Sequence, residues 1–259
     1  MKEFKVWLRY TNNSFQQVLI NKPIVGIFML GKILRIALFL IFLVFLFNGA
    51  GGIAGYGRNQ IIFFYLSFNL IDTLAQLFFR EVYRFRPLVI SGSLDFVLLK
   101  PLNPLIRVLL GGGDVMDLMM LIILIISTAI FGITTITTNP VHWILYTLLV
   151  INGLVIAASF HIFVLGLGVI TTSVDHLIMI YRDLTSMLRI PVDLYVEPVR
   201  FLLTFIIPLG IMITFPVKVL FGLLSFKFIL ISIAFATVSF WLALKFWHYS
   251  LRHYQSASS

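Results

Sequence analysis

The chain has 259 residues, of which 60% are hydrophobic and 11% are charged, and its mean hydropathy is +1.06. Soluble globular domains carry about 25% charged residues, so this composition excludes an ordinary soluble domain. The net charge of +9 would suggest a nucleic-acid partner if a basic soluble domain carried it. The sequence has no polar stretch long enough to form such a domain. In a membrane protein such a charge is typical of loops that meet anionic lipid. We therefore predict membrane lipid, and no nucleic acid, as a partner.

Several kinds of chemistry lack their sequence motifs. Cysteine is absent, which excludes disulfides and thiolate metal sites. The histidines form no H-E-x-x-H pair for zinc, and there is no G-x-S-x-G elbow for a hydrolase. No G-x-x-x-x-G-K-[ST] motif occurs, and the glycines at 111–113 precede Asp114, which would repel phosphate. We predict that the chain is not an enzyme and has no catalytic, metal or cofactor site. ATP and Mg, if used, would be bound by another chain.

The N-terminal residues 1–35 carry six basic side chains and one acid, with aromatic and apolar residues at roughly helical spacing. This pattern predicts a helix that lies in the membrane interface with its aromatic side chains at headgroup depth. A solvated tail is the alternative. No cleavable signal peptide is expected, because no apolar core with a small-residue cleavage site follows.

Apolar runs of about 20 residues occupy most of the remaining chain, and a helix of that length crosses a hydrocarbon core of about 30 Å. Barrel strands would be shorter and would alternate in polarity. We predict an all-α polytopic membrane protein with six transmembrane helices, in a single domain over residues 1–259. The predicted spans are 36–52, 59–79, 115–134, 144–172, 177–195 and 226–247.

The stretch 196–222 is apolar but is broken by Pro198, Pro208 and Pro216. The prolines leave pieces of about ten residues, which are too short to cross a bilayer. A re-entrant helical hairpin before the last span is therefore favoured over a kinked seventh span, and non-helical backbone at that depth requires cover from protein or water.

Basic residues are unevenly distributed between the two sides of this topology. Most of them fall in 1–35, in the central segment 80–113 and in the C-terminal tail. The positive-inside rule then predicts an integral cell (inner) membrane protein whose two termini are cytoplasmic.

The second predicted span carries a polar stripe, at positions i, i+3, i+4 and i+7 of one helix face. Polar and ionisable groups inside a span face a bundle interior or a water-filled cavity. The stripe predicts either the lining of a translocation path or dimer interface, or hydrogen bonds between helices. Its members are Asn69, Asp72, Thr73 and Gln76. Arg182 and Asp183, near the start of the fifth span, suggest structural pairing with neighbours.

The central segment 80–113 contains a short amphipathic stretch between two spans. Ser93 is predicted to cap a helix whose first turn contains Asp95, and Pro101 is predicted to end it. Leu94, Val97 and Leu98 make one apolar face. The segment is either a plain connector or a coupling helix that sits in a groove of a cytoplasmic motor.

Two motifs in this sequence resemble those of a transporter family. The loop GSLDFVLLKPLNPL follows the pattern G-x-L-D-x-x-L-x-x-P-x-x-P-L, and PVDLY follows P-x-D-x-Y upstream of a late I-P…P stretch. Both resemble ABC-type exporter permeases of the type-two integral membrane family, in one subfamily with this coupling loop. The resemblance covers essentially the whole chain.

The resemblance implies a permease subunit that exports a hydrophobic or amphipathic substrate, with a dimer of ABC ATPase subunits and a second permease, as a homodimer or heterodimer. It implies ATPase coupling by Gly92, Leu94, Asp95, Phe96, Leu98, Lys100 and Pro101. It also implies a re-entrant hairpin that involves Pro191, Asp193, Tyr195, Pro208 and Pro216. The alternative function is an ion-coupled secondary transporter or channel, with Asp72 or Asp183 as its ion site.

Overall fold

The computed structural model describes residues 2–50, 55–136, 138–171 and 175–255. Every regular element in these ranges is helical, which confirms the predicted all-α class. The α-helices are α1 (Lys2–Leu19), α2 (Lys22–Ala50), α3 (Arg58–Phe79), α4 (Phe85–Ile90), α5 (Ser93–Leu98), α6 (Pro104–Leu110), α7 (Val115–Thr135), α8 (Pro140–Thr171), α9 (Asp175–Met187), α10 (Val199–Phe201), α11 (Phe215–Leu220) and α12 (Phe226–Arg252). Short 3-10 helices cover Arg80–Arg84 and Val192–Leu194, and π-helical turns cover Leu202–Ile206 and Gly210–Thr214.

Five helical segments among the described residues are long and apolar enough to cross a membrane. A bent pair, Val199–Ile206 and Gly210–Leu220, meets at an angle of 80° and is a further candidate. The protein is therefore a polytopic membrane protein with five candidate spans among the described residues, or six if the bent pair crosses as one. The five straight candidates are Lys22–Phe47, Arg58–Ile90, Val115–Thr135, Pro140–Thr171 and Phe226–Arg252.

The N-terminal boundaries differ from the prediction. α2 begins at Lys22 rather than at residue 36, because Pro23 suits the first turn of a helix, where its missing N–H needs no partner. The separate N-terminal helix α1 is consequently limited to Lys2–Leu19 and does not extend to residue 35. This correction places Lys32 and Arg35 inside the membrane-spanning helix.

The fifth predicted span, 177–195, is wrong as a single straight helix. α9 has 13 residues and ends at Met187, so it is about 20 Å long, shorter than the hydrocarbon core. Pro191 disfavours helical backbone at the residue before it, and the chain continues through a turn into the 3-10 helix Val192–Leu194.

Contacts between the long helices fix their relative directions. α8 and α12 run parallel, because Asn152 donates to the Ser232 hydroxyl at 2.8 Å and Ser239 approaches Ser159 at 3.5 Å further along both helices. α3 also runs parallel to α8, since Tyr146 donates to Ser67 at 3.0 Å and the rings of Phe79 and His161 lie 5.2 Å apart.

α7 runs against α3. The Arg80 guanidinium, just after α3, lies 2.6 Å from Asp114, just before α7, and a Cβ built on Gly132 near the far end of α7 would touch Phe63. One end of the bundle therefore holds α1, the segment 80–113 and the C-terminal end of α12. The connection before α3, the turn before α8 and the start of α12 lie at the opposite end.

Candidate functional site

A cavity of about 710 Å³ lies between α2, α3, α7 and α9. The whole predicted polar stripe of α3 lines it, with Asn69, Asp72, Thr73 and Gln76 on its wall. The wall also carries the charged side chains Lys32, Arg35, Arg80, Asp117, Arg182, Asp183 and Arg189. The helical spacing of the stripe thus corresponds to one face of α3 directed into this space.

The stripe makes few hydrogen bonds of its own. Asn69 donates to the Tyr65 carbonyl at 2.7 Å, one turn earlier on the same helix. Gln76 approaches the Tyr83 hydroxyl at 3.5 Å. Within the described part of the chain, none of the four side chains hydrogen-bonds to a different membrane-spanning helix, so these side chains face the cavity.

An ion network lies on the cavity wall at the end that holds the segment 80–113. Asp117 accepts from Lys32 of α2 and from the Arg80 guanidinium, the latter at 3.0 Å. Asp114 accepts from the same guanidinium and, through its other oxygen, caps α7 by accepting from the Met116 N–H at 2.7 Å. The network joins α2, α3 and α7. Sequence reasoning missed Lys32 and Asp117, which lie 85 positions apart.

Arg182 and Asp183 were predicted to pair with neighbours. Arg182 lies over the Tyr83 ring, with its guanidinium carbon 5.9 Å from the ring centre. No ion pair within 4 Å involves Arg182 or Asp183 among the described residues. The contact of Arg182 is therefore with an aromatic ring rather than with a carboxylate.

The start of α5 differs from the prediction. The residue before the helix is Gly92, with a φ of +69°, a left-handed conformation that glycine adopts without strain. Ser93 is already the first helical residue, and its hydroxyl accepts from Ser91 at 2.8 Å instead of capping the helix. Asp95 lies in the first turn, as expected.

Helix α5 has one buried and one exposed apolar face. Leu94 is fully buried and Val97 is buried, so this face anchors the helix to the bundle. Phe96 is 69% exposed and Leu99 is 80% exposed, and their spacing of three residues puts them on the same side. Leu99 was not among the predicted coupling residues. The other predicted coupling residues also differ in exposure. Gly92 is buried, Leu98 is half-buried, and Lys100 and Pro101 are exposed.

Helix α1 is fastened to the region around α6. The Glu3 carboxylate accepts from the Asn103 N–H at 3.2 Å, and the Thr11 hydroxyl accepts from the Gly113 N–H at 3.2 Å. Between these points the Arg107 guanidinium lies 4.5 Å from the centre of the Tyr10 ring. α1 therefore packs along both ends of α6, so it is an ordered helix and not a solvated tail.

One of the residues predicted for the hairpin, Asp193, is the centre of a polar cluster at the opposite end of the bundle. Asp193 accepts from the Tyr56 hydroxyl at 2.7 Å and from the Lys218 ammonium at 3.0 Å. Burial, together with the Asp193 carboxylate, raises the pKa of Tyr56, so its hydroxyl stays protonated and able to donate. Asp193, which precedes the bent pair, is thus bonded both to Lys218 near the end of that pair and to Tyr56 in the connection before α3.

The remaining predicted hairpin residues shape the backbone of this region. Tyr195 donates to the Met187 carbonyl at 2.7 Å, which bridges the turn after α9. Pro208 lies in the break between the two π-helical turns, and Pro216 is buried in the first turn of α11. Pro191 precedes the 3-10 helix Val192–Leu194.

These features define an integral, multi-pass helical membrane protein with a charged cavity between its spans. A sequence model of the family described as ABC-2 family transporter protein matches residues 33–258, and the chain belongs to that family. Permeases of this family are the membrane component of the transporter and typically pair with an ABC ATPase, a separate subunit in which the ATPase activity lies. Comparisons with curated proteins and with solved structures return no match. The finer resemblance to the subfamily with the coupling-loop motif stays a prediction.

Proposed function

We propose that the chain is the permease subunit of an ATP-driven exporter for a hydrophobic or amphipathic substrate. A separate ATPase dimer binds ATP and Mg, and a second permease, identical or related, completes the pathway. The complex lies in the inner cell membrane with both termini of this chain in the cytoplasm. The family match supports the permease role, and the exposed apolar pair on α5 is the observation that carries the coupling.

The coupling role of α5 rests on its two faces. Phe96 and Leu99 project from the bundle at the end that holds α1 and the C-terminal end of α12, while Leu94 anchors the helix in the core. Phenylalanine is enriched at protein interfaces, and adjoining exposed apolar side chains of this kind form a surface suited to a docking contact. When the motor bound to this pair moves, the movement is transmitted through α5 to α3 and α7. ATP binding shifts the equilibrium between the inward-open and outward-open states, because the motor contacts the permease differently in the two states.

The cavity is the part of the pathway that this chain contributes. Its polar stripe on α3 lies within the membrane-spanning part of the chain, where polar groups require water, a ligand or another subunit. A translocation path and a dimer interface both meet that requirement, and the two coincide if the substrate passes between two permeases.

The bent pair is proposed as a re-entrant hairpin. Asp193 precedes it and Lys218 lies near its end, and these two side chains are 3.0 Å apart. A segment that crossed the membrane would separate its two ends by about 30 Å. The contact therefore supports entry and exit at the same side. Residues 175–194 then supply the fifth crossing as a broken helix.

The coupling proposal is tested by replacing Phe96 and Leu99 with alanine in the complex purified with its ATPase. Loss of the docking pair is expected to lower substrate-stimulated ATP hydrolysis by about tenfold, equivalent to about 1.4 kcal/mol of lost contact. Phe226→Ala is the matched control, because Phe226 is also 69% exposed but begins α12 at the opposite end.

Unchanged coupling in a correctly assembled double variant would contradict the docking role. Transport by this chain alone in liposomes, driven by an ion gradient, would instead favour the secondary transporter with Asp72 as its ion site. Copurification of an ATPase, measured by mass spectrometry of the affinity-purified chain, separates the two outcomes.

A further inference from the structure

Three arginines of the cavity have no carboxylate partner. Arg35 on α2 and Arg182 and Arg189, on and just after α9, all line the cavity. Within the described ranges none of the three forms an ion pair at 4 Å or less. Lys32 and Arg80, the other cations of the wall, are already neutralised by the buried Asp117 and Asp114.

The acids that remain do not balance these arginines. The charges of Arg35, Arg182 and Arg189 all act on Asp72, so one carboxylate faces three guanidinium groups without touching any of them. Of the other two acids of the wall, Asp117 is already engaged by Lys32 and Arg80, and Asp183, beside Arg182 in sequence, is exposed. Arg35 and Arg182 are also exposed, and Arg189 is half-buried, so a net positive charge is left on the wall of the cavity.

Apolar side chains line the cavity beside the arginines. Met179 lies one turn before Arg182 and is exposed. Phe39 and Phe68 are also part of the lining. Arginine is suited to bind phosphate or carboxylate through two parallel hydrogen bonds, and the adjoining apolar surface is suited to a hydrocarbon chain.

We propose that this cavity binds the anionic head group, phosphate or carboxylate, of an amphipathic molecule through Arg35, Arg182 and Arg189. The molecule's apolar part lies against the apolar lining that includes Phe39, Phe68 and Met179. This inference names a substrate class and so rests on the proposed export function, but the binding itself requires neither ATP nor the motor.

The test uses the chain purified with its natural partners in an uncharged detergent. Dioleoyl phosphatidic acid and dioleoyl phosphatidylcholine, which share their tails, are added in equal amounts, and bound lipid is counted by native mass spectrometry. We expect about tenfold more phosphatidic acid than phosphatidylcholine on the wild type, and a loss of about tenfold in the double variant Arg35→Gln/Arg182→Gln. Arg200→Gln is the matched control, because Arg200 is outside the cavity and pairs with the exposed Glu197. It should keep the preference.

Three results would overturn the proposal. The first is equal binding of the two lipids, or a preference that survives in the double variant. The second is full displacement by inorganic phosphate at the lipid's own concentration, which would assign the site to a free anion. The third is dissociation of the permease pair in the double variant with lipid binding retained, which would assign the arginines to a subunit interface. Copurification of the ATPase is read separately, so a failure of the export proposal is distinguished from a failure of this one.

Discussion

Asp117 shows how a single side chain holds three membrane helices together. It is buried, and it accepts from Lys32 of α2 and from Arg80 at the end of α3 while it belongs to α7. Hydrogen bonds to charged groups contribute more than neutral ones, and a partner left unsatisfied inside the protein adds a desolvation cost. Asp117 contributes to stability because it lies where α2, α3 and α7 meet.

We predict that Asp117→Asn lowers the free energy of unfolding by about 2 kcal/mol, because both cations lose their shared counter-charge. The measurement is the thermal unfolding midpoint in detergent. Glu197→Gln makes the same chemical change in an ion pair whose two side chains are about half exposed, and it should cost less than about 1 kcal/mol. Equal midpoint shifts in the two variants would show that the buried network contributes nothing beyond a surface pair.

At the scale of elements, the bent pair depends on close approach to α8. A Cβ built on Gly153 of α8 would lie 2.6 Å from the Met212 carbonyl oxygen. Because that oxygen belongs to the backbone, it cannot move aside as a flexible side chain would. The glycine therefore lets the second π-helical turn lie directly against α8.

Gly153→Ala is accordingly expected to destabilise the protein by about 1–3 kcal/mol, the usual cost of overpacking a core. Gly31→Ala on α2 is its control, since a Cβ there meets nothing within 4 Å and alanine is the better helix former. Unfolding midpoints of the two variants in the same detergent provide the comparison. A Gly153→Ala protein as stable as Gly31→Ala would contradict the close packing.

The parallel course of α3, α8 and α12 sets the topology of the whole molecule. It places α5 and the start of α12 at opposite ends of the bundle. Chemical labelling of one exposed position at each end therefore tests the topology. Ser91 precedes α5, and Ser225 precedes α12 without a side-chain capping bond. The sequence contains no cysteine, so single cysteines can be introduced without removing native ones.

We predict that a membrane-impermeant maleimide labels the S225C variant in right-side-out vesicles and the S91C variant only in inside-out vesicles. The physical reason is that the positive-inside distribution places the basic segment 80–113 in the cytoplasm. Labelling is read by the mass shift on a gel. Reaction of both variants from the same side would contradict the arrangement of the helices across the membrane.

The sequence was informative where long apolar runs have clear polar borders. The second span was predicted as 59–79 and is Arg58–Phe79, and the third was predicted as 115–134 and is Val115–Thr135. The prediction of a single helix over 177–195 was wrong, because the average hydrophobicity of a segment does not reveal where helical backbone hydrogen bonding stops. The second π-helical turn lies against α8 at Gly153, and such a long-range contact is invisible to periodicity.

The same contrast holds for the cavity. Helical spacing was enough to find the face of α3 that carries Asn69, Asp72, Thr73 and Gln76. The partners of that face come from α2, α7 and α9, at distances along the chain that no local pattern encodes. Lys32 and Arg35 were predicted to belong to an N-terminal interfacial segment, because a basic residue beside an apolar run is ordinarily a border signal, whereas α2 includes both in one continuous helix.

The attachment of α1 to both ends of α6 has a consequence for regulation by the bilayer itself. α1 is bonded to Asn103 and Gly113, and α5 is separated from α6 by only a short turn. If α1 lies at headgroup depth, its position along the membrane normal depends on the thickness and lateral pressure of the lipid leaflet. We therefore expect the rate of ATP turnover in the assembled complex to vary with the acyl-chain length of the surrounding lipid. Bilayer thickness would then regulate the transporter mechanically.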